Sequence, residues 1–97
     1  MTTQALNQFD PDYVVIPGAI LEETLEARGI KKQDFATRCA ISPKTVSQII
    51  GGEASISPDL AIRFERVLGV SATIWNNLEG FYRLYQARAT EREPRDG

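Results

Sequence analysis

A chain of 97 residues, 42% hydrophobic and 25% charged, fits one globular domain with a modest core of its own. Its single cysteine, Cys39, excludes an intrachain disulfide and suits a reducing cytoplasm. With no histidine, neither an imidazole base nor an ordinary zinc site is available.

Residues 1–16 read as an arm. MTTQALNQFDPD is polar, broken by Pro11 and expected to be flexible, while Tyr13, Val14, Val15 and Ile16 are apolar enough to lie extended against the domain or a partner. A first helix begins at Pro17, whose missing N–H costs nothing in a first turn. Ile20, Leu21, Thr24 and Leu25 repeat at helical spacing, Glu22, Glu23 and Glu26 face outward, and Gly29 supplies a left-handed stop. A second helix covers Lys32 to Cys39 and lacks a good side-chain cap, since Lys31 stands where Ser or Thr would serve better.

The third helix has firm ends: Ser42 caps it, Pro43 opens it and Gly51–Gly52 stops it. The same Ser-Pro device recurs at Ser57–Pro58, with Asp59 adding favourable negative charge to the first turn. Leu60, Ala61, Phe64, Val67 and Leu68 form the buried stripe of this fourth helix, and Gly69 closes it. A fifth helix is expected from Ala72 to Ala89, capped by Ser71. Ile74, Trp75, Leu78, Phe81, Tyr82 and Tyr85 form its aromatic face, interrupted by Gly80 at a cost of about 1 kcal/mol. Residues 90–97 form a charged tail. The organisation is therefore an arm (1–16), an all-α five-helix domain (17–89) and a tail (90–97).

The chemistry concentrates in residues 32–50, KQDFATRCAISPKTVSQII. Phe35, Ala36, Ile41, Val46 and Ile49 put apolar anchors where two short helices crossing steeply around a tight turn need them. With Val46 and Ile49 inward, residues 44, 45, 47 and 48 fall towards the outward arc at about 100° per residue. Lys44, Thr45, Ser47 and Gln48, with Ser42 and Pro43 at the helix start, have the lengths and hydrogen-bonding groups that read a DNA major groove. Gln48 suits adenine, Lys44 suits guanine or a phosphate, and Pro43 suits a thymine methyl; Ser42 serves equally as a cap alone. Lys32 stands where a phosphate would meet the positive end of the second helix. For Arg28, Lys31 and Arg38 a solvated-surface role is as good a reading.

Taken alone, the net charge of −2 opposes nucleic acid, but charge is uneven along the chain. Residues 1–27 carry five acids and no base, whereas residues 28–48 carry five bases against Asp34 alone. The basic excess coincides with the expected reading unit, where phosphate neutralisation requires it. On the fifth helix, Trp75 and Leu78 are expected in the core, and Phe81, Tyr82 and Tyr85 in a two-fold dimer contact. Catalysis finds no support: Glu22 and Glu23 are adjacent and diverge along a helix, and Gly51–Gly52 lacks the Lys-Ser/Thr of a phosphate loop. No cofactor or metal is expected. Absence of an apolar run of ~20 residues or a secretory signal points to a cytoplasmic protein without a membrane partner.

Residues 17–85 resemble the HigA-like antitoxins of the lambda-repressor-like (XRE, Cro/CI) helix-turn-helix class. The resemblance is carried by PGAILEETLEARG, ISPDLAIRFERVLGV and IWNNLEGFYRLY in that order. It implies a homodimer that binds a palindromic operator in its own promoter, represses transcription, and neutralises a RelE-fold, HigB-like toxin that cleaves mRNA on the ribosome. Three positions depart from the pattern: Ala40 where glycine is common at the turn, Lys31–Lys32 where Ser/Thr and Gln are usual, and Glu53 where a base is frequent. Other readings stay open. One is a regulator of the same class without a toxin, or the DNA-binding portion of a longer protein. Another is a protein-interaction module that does not bind DNA, which the net charge permits.

Overall fold

The computed structural model describes residues 14–92. The stretch of the arm before residue 14 and the end of the tail lie outside the described residues. Five helices follow one another: α1 (Pro17–Arg28), α2 (Lys32–Cys39), α3 (Pro43–Ile50), α4 (Pro58–Leu68) and α5 (Ala72–Arg92). There is no strand among the described residues.

Local chemistry sets the helix ends. Ser42 Oγ accepts from the Thr45 N–H at 3.0 Å, and Ser57 Oγ accepts from the Leu60 N–H at 3.2 Å, each satisfying an orphan donor of a first turn opened by proline. Gly29 and Gly69 take left-handed backbone at the ends of α1 and α4. Ala40 does the same at the end of α2, with φ 60° and ψ 43°, and is the one non-glycine residue with positive φ among the described residues. Its N–H donates to Thr37 O and the next N–H, of Ile41, to Ala36 O, so the turn closes in the manner of a Schellman cap. α5 runs on to Arg92, three residues past the expected end at Ala89. Nothing in Thr90-Glu91-Arg92 breaks a helix, and Thr90 Oγ1 donates back to Gln86 O.

The core joins all five helices: Leu21 and Leu25, Phe35, Ala36 and Cys39, Val46 and Ile49, Ala61, Phe64 and Leu68, and Trp75, with Ile56 from the α3–α4 loop. Phe35, Phe64 and Trp75 form an aromatic chain from α2 through α4 to α5, with centroids 5.1 and 5.5 Å apart and the second pair edge-to-face. Ile74, counted with the apolar face of α5, is 49% exposed, whereas Trp75 is fully buried. At 100° per residue, Trp75, Leu78, Glu79 and Tyr82 make one narrow stripe, and Ile74 falls beside it.

Two arginines outside the proposed contact set tie helices together end to end. The Arg28 guanidinium donates to the last carbonyl of α4, Leu68 O, and Arg63 Nη1 donates to Cys39 O at 3.0 Å and Ala40 O at 3.4 Å. Both place positive charge at a helix C-terminus, where it is favourable.

Candidate nucleic-acid interface

α3 is amphipathic over eight residues. Val46 and Ile49 are 0% and 1% exposed and hold its back to the core, a burial that stabilises by about 1.5–3 kcal/mol per side chain. Ser42, Pro43, Lys44 and Ser47 are exposed, while Thr45 and Gln48 are half-buried. Ser42 is committed as a cap and shares a 2.9 Å hydroxyl–hydroxyl bond with Thr45. Among the described residues the side chains of Lys44, Ser47 and Gln48 make no hydrogen bond or ion pair. No described residue takes up their polar ends.

The seat of α3 is set from behind by Gly18, which the sequence reading passed over. A Cβ at this position would lie 2.6 Å from the Cα of Ile50, and closer still to the carbonyl oxygens of Ile49 and Ile50. Only glycine lets the start of α1 approach the end of α3 this closely. The contact also sets the positive end of one helix against the negative end of another, a favourable dipole arrangement.

Lys32, in the first turn of α2, is half exposed and lies 3.5 Å from Glu22 of α1, so its charge is partly matched within the protein. Arg38 and Arg66 lie with Arg63 around a shallow cleft at the other end of α2, away from its N-terminal turn. Cys39, 2% exposed beneath that cleft, is a core residue. Burial pushes its thiol up to about 11, against a smaller opposing pull from Arg63, so it is protonated and unreactive at neutral pH.

On α5, Phe81 is 69% exposed, Tyr85 is half-buried, and Ile74 and Leu84 are 49% and 48% exposed on the same side of the helix. Tyr82, also half-buried, turns inward. Its hydroxyl faces Gly52 of the α3–α4 loop, and the Arg83 guanidinium lies 5.0 Å from its ring centroid. Glu79, 9% exposed, was not singled out from the sequence, although it stands four residues after Trp75 and three before Tyr82 on the buried stripe. That position was the available signal. Among the described residues no group of three potential metal ligands forms, and no helix is long and apolar enough to cross a membrane.

Comparison with known proteins adds to this geometry. The helix-turn-helix model HTH_3 matches residues 21–75. The chain is 34% identical over 74 residues to the uncharacterized HTH-type transcriptional regulator YddM of Escherichia coli, covering 76% of this chain and 79% of that protein. In structure it is similar to a putative antidote protein of a plasmid maintenance system from Nostoc punctiforme, with TM-score 0.78, 29% identity, and 81% and 87% of the two chains covered. It is also similar to the Pseudomonas aeruginosa antitoxin HigA solved with the higBA promoter, with TM-score 0.76, 35% identity, and 80% and 86% covered.

Proposed function

The chain belongs to the HTH_3 family of XRE-type helix-turn-helix proteins, and from that premise we propose that it is an antitoxin that represses its own promoter. Its function class is DNA binding and regulation, and its structural neighbours include HigA-family antitoxins and plasmid-maintenance antidotes. In this reading α3 enters the major groove of a palindromic operator. Lys44, Thr45, Ser47 and Gln48 meet bases or phosphates, Pro43 offers apolar contact, Ser42 sets the helix start, and Lys32 meets the backbone. A second copy pairs through α5, with Phe81 and Tyr85 in the seam, Tyr82 at its edge, and two reading helices about one DNA turn (~34 Å) apart. A RelE-fold toxin is the protein partner, and the site of action is the cytoplasm.

The observation that carries this reading is the outward arc of α3, where Lys44, Ser47 and Gln48 have no side-chain partner among the described residues. The test is binding to the DNA upstream of its own reading frame, followed by fluorescence anisotropy against salt. Lys44→Ala with Gln48→Ala is expected to lose specific binding while the melting temperature stays put. The Gln48 part costs about 1–3 kcal/mol and relaxes discrimination at one base pair. Binding unaffected by the double substitution overturns the assignment of this surface. A regulator without a toxin is the second reading, favoured by the similarity to YddM. Co-expression with a neighbouring small reading frame decides between them: rescue of growth marks an antitoxin, no effect a regulator.

A further inference from the structure

The α3–α4 loop, residues 51–57, is held from two sides. On one side the Glu53 and Ala54 N–H groups both donate to Gln48 O, at 2.8 and 3.1 Å, so the loop is bonded to the backbone of the very residue whose side chain lies on the outward arc. On the other side α5 reaches it twice. Glu79 Oε1 accepts from the Ile56 N–H at 3.1 Å within the core, and the Tyr82 hydroxyl lies against Gly52.

Glu79 is the one buried charged side chain among the described residues. A carboxylate is an expensive way to satisfy a single loop amide unless its charge is matched and its position fixed. Both conditions are met. Oε2 accepts from Arg83 Nε, and Arg83 Nη1 donates to Gln86 Oε1 at 2.8 Å, so a chain of hydrogen bonds runs from the loop to the solvent side of α5. The outer face of the same helix carries the exposed Ile74, Phe81 and Leu84. One helix thus offers an apolar face outward and grips the loop that follows α3 inward.

We infer that Glu79 is a positioning residue for DNA binding: through the Ile56 amide it locks the α3–α4 loop to α5 and so fixes α3 relative to the helix through which two copies pair. The inference rests on the reading of α3 as the DNA-contacting helix. It adds that affinity depends on a side chain that touches no DNA. Glu79→Gln keeps an oxygen for the Ile56 N–H, whereas Glu79→Ala removes the acceptor.

The experiment measures, for the full chain and both variants, anisotropy binding to the upstream DNA, thermal melting and amide hydrogen exchange at Ile56. Glu79→Ala is expected to bind about tenfold more weakly and to exchange the Ile56 amide faster, while Glu79→Gln stays within about threefold of the unsubstituted protein. Retention of the acceptor in Glu79→Gln keeps the test valid should the alanine variant melt too early. Full binding by Glu79→Ala, or a loss in Glu79→Gln equal to that in Glu79→Ala, overturns the positioning role alone. Absence of binding by the unsubstituted protein overturns the DNA-reading function beneath it.

Discussion

α3 and α4 start from the same local sequence and end with opposite uses. Each opens on Ser-Pro, each serine caps the third residue on, and each buries a narrow apolar stripe. The polar side chains of α4 then turn to the protein itself: Arg63 bonds the end of α2 and pairs with Asp59 at 3.1 Å, and Glu65 accepts from the Ala72 N–H at the start of α5. Those of α3, beyond the Ser42–Thr45 cap, bond nothing among the described residues. A capping rule decides where a helix begins. What its outward residues find determines whether it serves as a strut or as a reading surface.

The contrast can be broken at its base by Gly18→Ala, the substitution with the largest expected effect. Two backbone segments meet there and neither can yield, so unfolding in urea should show a loss of about 3 kcal/mol or more. A loss near zero would mean that α1 does not seat α3.

Next in size, Arg63→Ala on the supporting helix is expected to cost about 1–2 kcal/mol of stability, since it strips two carbonyls of a charged donor, and to leave DNA affinity alone. Lys44→Ala on α3 should do the reverse. Denaturation and anisotropy on the same two variants would expose any mixing of the roles.

The matched caps allow a finer comparison. Ser42→Ala and Ser57→Ala should each cost about 1 kcal/mol, and only Ser42→Ala should also weaken binding. Equal binding by both variants would reduce Ser42 to a cap. The smallest effect is a gain: Ala40→Gly relieves a left-handed alanine and should raise stability by about 0.5–1 kcal/mol in the same titration.

The starts of α3 and α4 and the stops of α1, α3 and α4 were legible because Ser-Pro pairs and glycines act within a few residues of themselves. Ala40 was legible as a position where glycine would sit more easily. Gly18 was not, since its demand comes from the backbone of Ile49 and Ile50, which only the fold brings near. Arg28 read equally well as surface charge, and Arg63 drew no reading at all, for a similar reason: their acceptors are main-chain carbonyls of other helices, 40 and 24 residues away in the chain. Glu79 hid inside an apolar period, where an acid is easily discounted although the spacing points it inward. The outward residues of α3 were readable as a group, but nothing in their own sequence distinguishes the Thr45 hydroxyl, engaged with Ser42, from the free Ser47 hydroxyl.

The lone thiol of Cys39 also provides a built-in clock. Buried in the last turn of α2 and protonated in the folded chain, it is open to an alkylating reagent only while that turn is unmade. Its modification rate under native conditions, divided by that of an exposed thiol, gives the fraction of time the two-helix unit stands open. No label need be introduced, and fraying at the far end of α5 leaves the reading unaffected.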